Sequence, residues 1–310
     1  MVRLGAGAHV FRVQAIDPRG RRSRFAQATV TVQAPARSVQ VGAEPVALTF
    51  GLGSLWTADY GGGTVTRVER GAVAARIDVG GVPGGIAIAG GSVWVGDFER
   101  DGQVSRIDPA SNRVVGHVNL KAGGQPAGLL GADNVVWVAD YSGFVERVDA
   151  LSGTVVARIA IGGRPEALAL GFGVLWVTNE DGTLSTIDPQ TNTVVGANVV
   201  GDSDMDAVAI GTDAVWSTSY DGNSLLKIDP ATRRVQMRVR LGGSGGGVLS
   251  AGGAVWASVY GTGEVVRVDP VTGRIVRRIQ VGSKPRDIVS DGTSLWVVNQ
   301  GSSSISEITP

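Results

Sequence analysis

The stretch PEALALGFGVLWVTNEDGTLSTIDPQTNTVVGANVV, residues 165–200, holds four short apolar or β-branched runs separated by Gly, Asp-Gly and Asp-Pro. Alternation within the runs and their Val, Ile, Leu and Thr content read as strands, and the separators read as turns. Asp-Pro suits a type I turn, with Asp at its first position and Pro presetting φ at the second. Working outward, the same unit recurs along the chain. Tryptophan stands at 56, 94, 137, 176, 216, 256 and 296, so the period is close to 40 residues, and no other Trp occurs. A Pro lies eleven residues ahead of the Trp in five units (Pro45, Pro83, Pro126, Pro165, Pro285), and Asp-Pro returns at 108–109, 188–189, 229–230 and 269–270.

A helical solenoid can share this period, but it needs long amphipathic segments free of Gly and Pro, and none is present. Four strands repeated seven times predict an all-β fold, a seven-bladed β-propeller of four-stranded blades. The last unit stops at Ile308-Thr309-Pro310, one strand short, while Arg37-Ser38-Val39-Gln40-Val41-Gly42 matches the fourth strands Arg76–Gly80 and Arg278–Gly282. Residues 37–42 are therefore expected to complete the last blade and close the ring, which removes two exposed sheet edges.

The segments Leu175-Trp176-Val177-Thr178-Asn179 and Leu295-Trp296-Val297-Val298-Asn299, the Val-x-Arg-Ile-Asp-Pro strands and the Val-Gly-x-x-Pro junctions resemble bacterial seven-bladed propellers of the YVTN/NHL type. That group includes a streptogramin lyase-like branch. The likeness covers about residues 37–310. It is specific for fold and weakly specific for activity. A WD-repeat assignment fits less well, because no Trp-Asp and no Gly-His dipeptide occurs.

Residues 1–36 read separately from 37–310. Gly7–Gly20 looks like the penultimate strand and turn of an immunoglobulin-like or fibronectin-type domain, and Ala28–Val32 like its last strand. The expectation is a truncated immunoglobulin-like segment ahead of the propeller. The balance of 28 Lys+Arg against 28 Asp+Glu hides an asymmetry, because residues 1–37 carry seven Arg and a single acid, Asp17. Arg19, Arg21, Arg22 and Arg24 could grip phosphates, but no aromatic residues interleave with them, so nucleic acid is not the expected partner. The chain has no cysteine, which excludes disulfides and thiolate chemistry. No apolar run approaches a membrane span, and the start shows no signal peptide. An extracytoplasmic, secreted or cell-surface location is expected from the immunoglobulin-like segment and from the family likeness, and a monomer is expected.

Strand alternation puts the loops between second and third strands on the same face as the junctions between blades. On that face the third residue after each Trp includes Asp59, Asp97, Asp140, Asn179 and Asn299, and the fourth includes Tyr60, Phe98, Tyr141, Glu180, Tyr220 and Tyr260. Following the junction come Glu166, Asp206 and Arg286, with Asp202 and Asp204 nearby. Aromatic faces with a few placed polar groups suit a concave ligand site at the channel mouth. Its acidic bias favours a cationic ligand or a metal over phosphates. Residues fixed by the repeat can equally serve the repeat, with Tyr packing between blades and Asp or Asn bonding turn backbone. Glu180, Asp206, Arg286, Asp202 and Asp204 depart from it and carry more weight.

No cofactor is specified. A divalent metal (Mg or Ca) is compatible with Asp202-Ser-Asp204-Met-Asp206, although an EF-hand loop would need Gly and Glu where Ala207 and Asp213 stand. The Asp-Pro carboxylates are turn residues on the opposite face, and the tryptophans are core between blades. The family likeness implies, for its lyase branch, a His and Glu at the mouth with magnesium. Neither His9 nor His117 falls on a mouth-facing position, so no catalytic residue is assigned. The expected function is a non-enzymatic binding or interaction module, with a protein, peptide or small-molecule ligand at the Tyr/Asp-lined face. The alternatives are a streptogramin (virginiamycin B)-type carbon–oxygen lyase acting with a divalent metal, and the sensor or stalk region of a larger surface or signalling protein.

Overall fold

The computed structural model describes residues 7–310 except 15, 17, 19, 25, 33–35, 100–101, 121–122 and 201–203. The chain forms two compact units, Met1–Ala36 and Arg37–Pro310. Among the described residues no helix is long and apolar enough to cross a membrane. In the first unit Gly7–Val13 pairs antiparallel with Ala26–Val32, Gly7 opposite Val32 and Val13 opposite Ala26. Asp17 and Arg19, which enter the reading of this segment as basic, lie outside the described residues.

The second unit is a seven-bladed β-propeller, seven sheets of four antiparallel strands each. In the first blade Pro45–Gly51, Ser54–Asp59, Thr64–Glu69 and Ala72–Asp78 pair in chain order. The last blade takes Pro285–Ser290, Leu295–Asn299 and Ser304–Ile308 from the C-terminus and Arg37–Gln40 from the other end. Val39 faces Ile305 and Gln40 faces Ser304 in that register. The closing strand is two residues shorter than the expected 37–42, yet the Val41 amide still donates to Ser303 O at 3.0 Å. The chain ends of the ring are thereby joined by strand pairing.

Burial follows strand position. Second strands such as Ser54–Asp59 and Ala254–Val259 are buried at every residue, their polar members included. Fourth strands alternate, as in Arg113–Asn119, because one face meets solvent. Each core cluster spans two blades. Trp56 packs with Val93, Val95 and Ile107 of the next blade, and Trp296 packs with Leu48, Leu55 and Val68 across the closure. The tryptophans are core between blades, as their fixed place in the repeat implies.

Basic residues of the third strands fasten neighbouring blades. The Arg147 guanidinium lies 5.3 Å from the centre of the Trp137 ring and donates to Pro189 O at 3.0 Å and Asn192 Oδ1 at 3.1 Å in the next blade. Arg67 does the same over Trp56, reaching Pro109 O at 2.7 Å and Asn112 Oδ1 at 3.0 Å. The Asp-Pro turns are thus docking points, and their carboxylates are occupied locally. Asp108 accepts the Ser111 hydroxyl at 2.7 Å and the Ala110 amide at 3.2 Å, which lowers its pKa.

In six blades the pairing of first and second strands shifts register just after the junction position, for example between Pro165 and Leu168 and between Pro285 and Ile288. An irregularity of this kind turns side chains away from the regular ladder. It falls at Glu166 and Arg286, and it sets up the site.

Candidate functional site in the central channel

The first strands line a channel containing a cavity of about 500 Å³. The second residue after the junction position is Ala47, Gly85, Gly128, Ala167, Ala207 and Gly247 in six blades, small enough to leave the lumen open, and Asp287 in the seventh. One residue earlier stand Val46, Gly84, Ala127, Glu166, Asp206, Gly246 and Arg286. All four charged residues of these two rows therefore come from the fourth, fifth and seventh blades. Another part of the wall is aromatic, and it meets the charged part where Tyr141 bonds Glu166. Tyr60, Phe98 and Tyr141 from the first three blades form an arc, with ring centres 6.5 Å apart for Tyr60–Phe98 and 5.3 Å for Phe98–Tyr141.

The structure separates the two rows of residues that follow each Trp. Asp59, Asp97, Asp140, Asn179 and Asn299 are buried inside their blades. Asp59 accepts from the hydroxyls of Thr57, Thr64 and Thr66 at 2.7, 2.9 and 2.6 Å. Asp140 accepts the Gln125 and Ser142 amides, both at 2.8 Å. Asn299 accepts the Gly282 amide at 3.0 Å and donates to Ser304 and Ser306. These side chains tie each junction to its hairpin. The Val-Gly junctions follow from that, since a Cβ on Gly42 would collide with the Asp59 carboxylate and one on Gly282 with the Asn299 side chain. This row shapes the channel wall from behind and does not face the cavity.

Of the remaining expected residues, Tyr60, Phe98, Tyr141, Glu166, Asp206 and Arg286 converge on the cavity. Tyr220 and Tyr260 pack against each other edge to face at 5.6 Å, and the Tyr260 hydroxyl donates to Gln300 at 3.3 Å. Glu180 forms an ion pair with Arg164 at 2.9 Å, and the Arg164 guanidinium lies 4.6 Å from the Tyr141 ring centre. Asp204 has a left-handed backbone (φ 49°), and its amide and carbonyl bond Glu180 O at 2.6 Å and Tyr220 N at 2.9 Å. Asp202 lies outside the described residues. Among the described residues no three His, Asp or Glu side chains converge as metal ligands. His117 sits on the outer strand Arg113–Asn119 with Nδ1 3.0 Å from the Ser105 hydroxyl.

Asp287 lines the cavity and was not among the expected residues. Its signal was present in the sequence, as a charged residue where six units carry Gly or Ala.

The charged wall is strongly coupled. Glu166, Asp206 and Arg286 are open to the lumen on one side and packed by protein on the others. Burial, reinforced by the negative charge of Asp206, lifts the Glu166 carboxyl well above the usual carboxylate range. Burial also raises Asp206, with Arg286 opposing. Burial pushes Asp287 up to about 6, against the Leu48 amide that donates to it at 3.2 Å. Burial alone would lower the Arg286 pKa, but the charges of Asp206 and Glu166 outweigh it. Glu166 and Asp206 are thus hydrogen-bonded to each other beside a guanidinium, and both are harder to ionise than free carboxyls. Glu166 Oε2 and Arg286 Nε are buried without a hydrogen-bond partner among the described residues.

Neither a protein-family profile nor a curated protein sequence matches the chain. Solved structures with a similar fold include hydrazine synthase of Kuenenia stuttgartiensis, with TM-score 0.77 and 18% identity over 86% of this chain and 96% of that one. BamB of Moraxella catarrhalis is also similar, with TM-score 0.67 and 14% identity over 89% of this chain and 99% of that one. At such identities the likeness is one of fold, that of the seven-bladed propeller.

Proposed function

We propose that the propeller is a non-enzymatic binding module whose ligand seats in the mouth of the central channel. The observation that carries this reading is the convergence of Glu166, Asp206, Arg286 and Asp287 on the cavity that Tyr60, Phe98 and Tyr141 also line. Packing of a seven-fold repeat calls only for small residues at these places, as the other blades show. Four charges gathered in a low-dielectric wall raise the free energy of the fold unless they are paired and hydrogen-bonded, and polar groups of a ligand complete them. We further propose that the ring belongs with the YVTN/NHL-type propellers, that residues 1–36 are immunoglobulin-like, and that the protein works outside the cytoplasm. The repeat motifs and the antiparallel pair Gly7–Val13 with Ala26–Val32 support those assignments.

A thermal-shift screen of metals, sugars, amino acids, peptides and macrocycles tests the binding reading, because a ligand selective for the folded state raises the melting temperature. The expected result is at least one saturable shift that disappears in Tyr141→Ala. If no compound shifts the protein, or if every shift survives that substitution, the channel is not the binding site.

A further inference from the structure

The channel wall holds two buried atoms of opposite character without a hydrogen-bond partner, on Arg286 and on Glu166, whose carboxyl otherwise bonds Tyr141 and Asp206. Arg286 makes no side-chain hydrogen bond and no ion pair within 4 Å among the described residues, and its guanidinium lies 5.7 Å from the centre of the Tyr260 ring. Glu166 Oε2, on a blade three positions round the ring, is likewise unbonded. A simple anion meeting Arg286 also meets Asp206 and Glu166. A simple cation meeting those carboxylates also meets Arg286. A metal ion finds no set of three ligands among the described residues. A ligand carrying both charges a few ångströms apart satisfies both groups at once.

We infer that the cavity binds a small zwitterion, an α-amino acid with an apolar or aromatic side chain, through Arg286 on its carboxylate and Glu166 with Asp206 on its ammonium. This rests on the channel being the binding site. Arg286 offers the planar fork that suits a carboxylate. The carboxyl pair accepts the three ammonium hydrogens. The arc of Tyr60, Phe98 and Tyr141 is the aromatic surface lining this cavity, and it takes the side chain. A volume of about 500 Å³ accommodates an aromatic amino acid with water to spare.

The ammonium competes with protonation of Glu166 and Asp206, both harder to ionise than free carboxyls, so binding favours their ionised forms. The groups that set this competition are Asp204, Tyr141 and Arg286 around Glu166, Arg286 around Asp206, and Asp287, which itself feels Asp206 and Arg286. Affinity therefore rises with pH until the pair is fully ionised.

Calorimetric titration of the full chain with L-phenylalanine, phenethylamine, hydrocinnamate and glucose across pH tests the inference. Phenylalanine binds, more tightly as pH rises, while phenethylamine and hydrocinnamate each bind at least about ten-fold more weakly, the size expected for losing one charge-assisted contact. Arg286→Met abolishes the preference for phenylalanine over phenethylamine. The ligand series on the unaltered protein reads the same question if that variant does not fold. No binding of phenylalanine, binding of either truncated probe as tightly as phenylalanine, or binding unaffected by Arg286→Met overturns the inference. Glucose or another screened compound binding in a Tyr141-dependent manner while phenylalanine does not would overturn the zwitterion and leave the binding module standing.

Discussion

Alanine at both Val39 and Val41 is the sharpest test of how the ring stays shut. Both side chains are buried in the cluster containing Leu48, Leu55, Trp296 and Ile305, which joins the last blade to the first. Their neighbours Ser38 and Gln40 point to solvent, so the strand offers its own control. Each Val→Ala removes two carbons, about 1.6 kcal/mol at about 0.8 kcal/mol per methylene, and the unfilled space left behind adds to this. The pair should cost about 3–4 kcal/mol. For a domain of this size a loss of 1 kcal/mol lowers the melting temperature by about 2–4 °C, so the expected drop is about 6–15 °C. Ser38→Ala with Gln40→Ala should move it by about 1 °C or less, since exposed substitutions are nearly neutral. Melting by circular dichroism reads the shift. Hydrogen exchange locates it, with protection lost in Ser304–Ile308 before Phe144–Asp149. Equal shifts for the two double variants, or a drop under about 2 °C for the valine pair, would refute the argument that burial on this strand closes the ring.

Other outcomes follow from the same structure. Glu146 is fully buried beside Asp140, with Arg158 Nε at 3.4 Å, and burial followed by the Asp140 charge pushes its pKa from 4.5 up to about 8. The folded state therefore keeps a proton that the unfolded chain gives up near 4.5, and stability falls as pH rises from there to about 8. Glu146→Thr, which copies Thr66 of the first blade, should flatten that slope of at most about 1.4 kcal/mol per pH unit and be the more stable protein above pH 8; denaturant titrations across pH read it, and a parallel slope in the variant counts against the assignment. Arg147→Met keeps the stem but loses the hydrogen bonds to Pro189 and Asn192 and the cation over Trp137, a cost of about 1–3 kcal/mol and a drop of about 3–9 °C in melting temperature. Gly81→Ala places a Cβ against Asp97 at φ +64°, and about 2–4 kcal/mol should be lost, whereas Gly261→Ala, where nothing lies within 4 Å and φ is not positive, should cost about 1 kcal/mol or less.

Legibility in the sequence depended on how local each feature is. The tryptophan period, the Asp-Pro turns and the match of residues 37–42 to a fourth strand are readable because each reflects a hydrogen-bonding or burial pattern confined to one blade. The site was read with less resolution. Asp59 and Tyr60 are adjacent and look equally suited to a ligand, but Asp59 ends a strand and turns inward onto three threonines, while Tyr60 begins the loop and reaches the lumen. Asp287 escaped because the position was judged by its neighbours in sequence, and its meaning appears only when the seven inner strands are aligned around one axis.

The sequence by itself determined that the chain builds seven four-stranded units closed by a borrowed strand. Periodicity and turn chemistry act between residues near one another in the chain, and those are what a sequence displays. Only the tertiary structure decided that Glu166, Asp206 and Arg286, lying 40 and 80 residues apart, share one wall and feel one another's charge. That proximity is made by the ring, which curves distant blades onto a common channel, and charges brought within a low-dielectric wall acquire properties that none of them has alone.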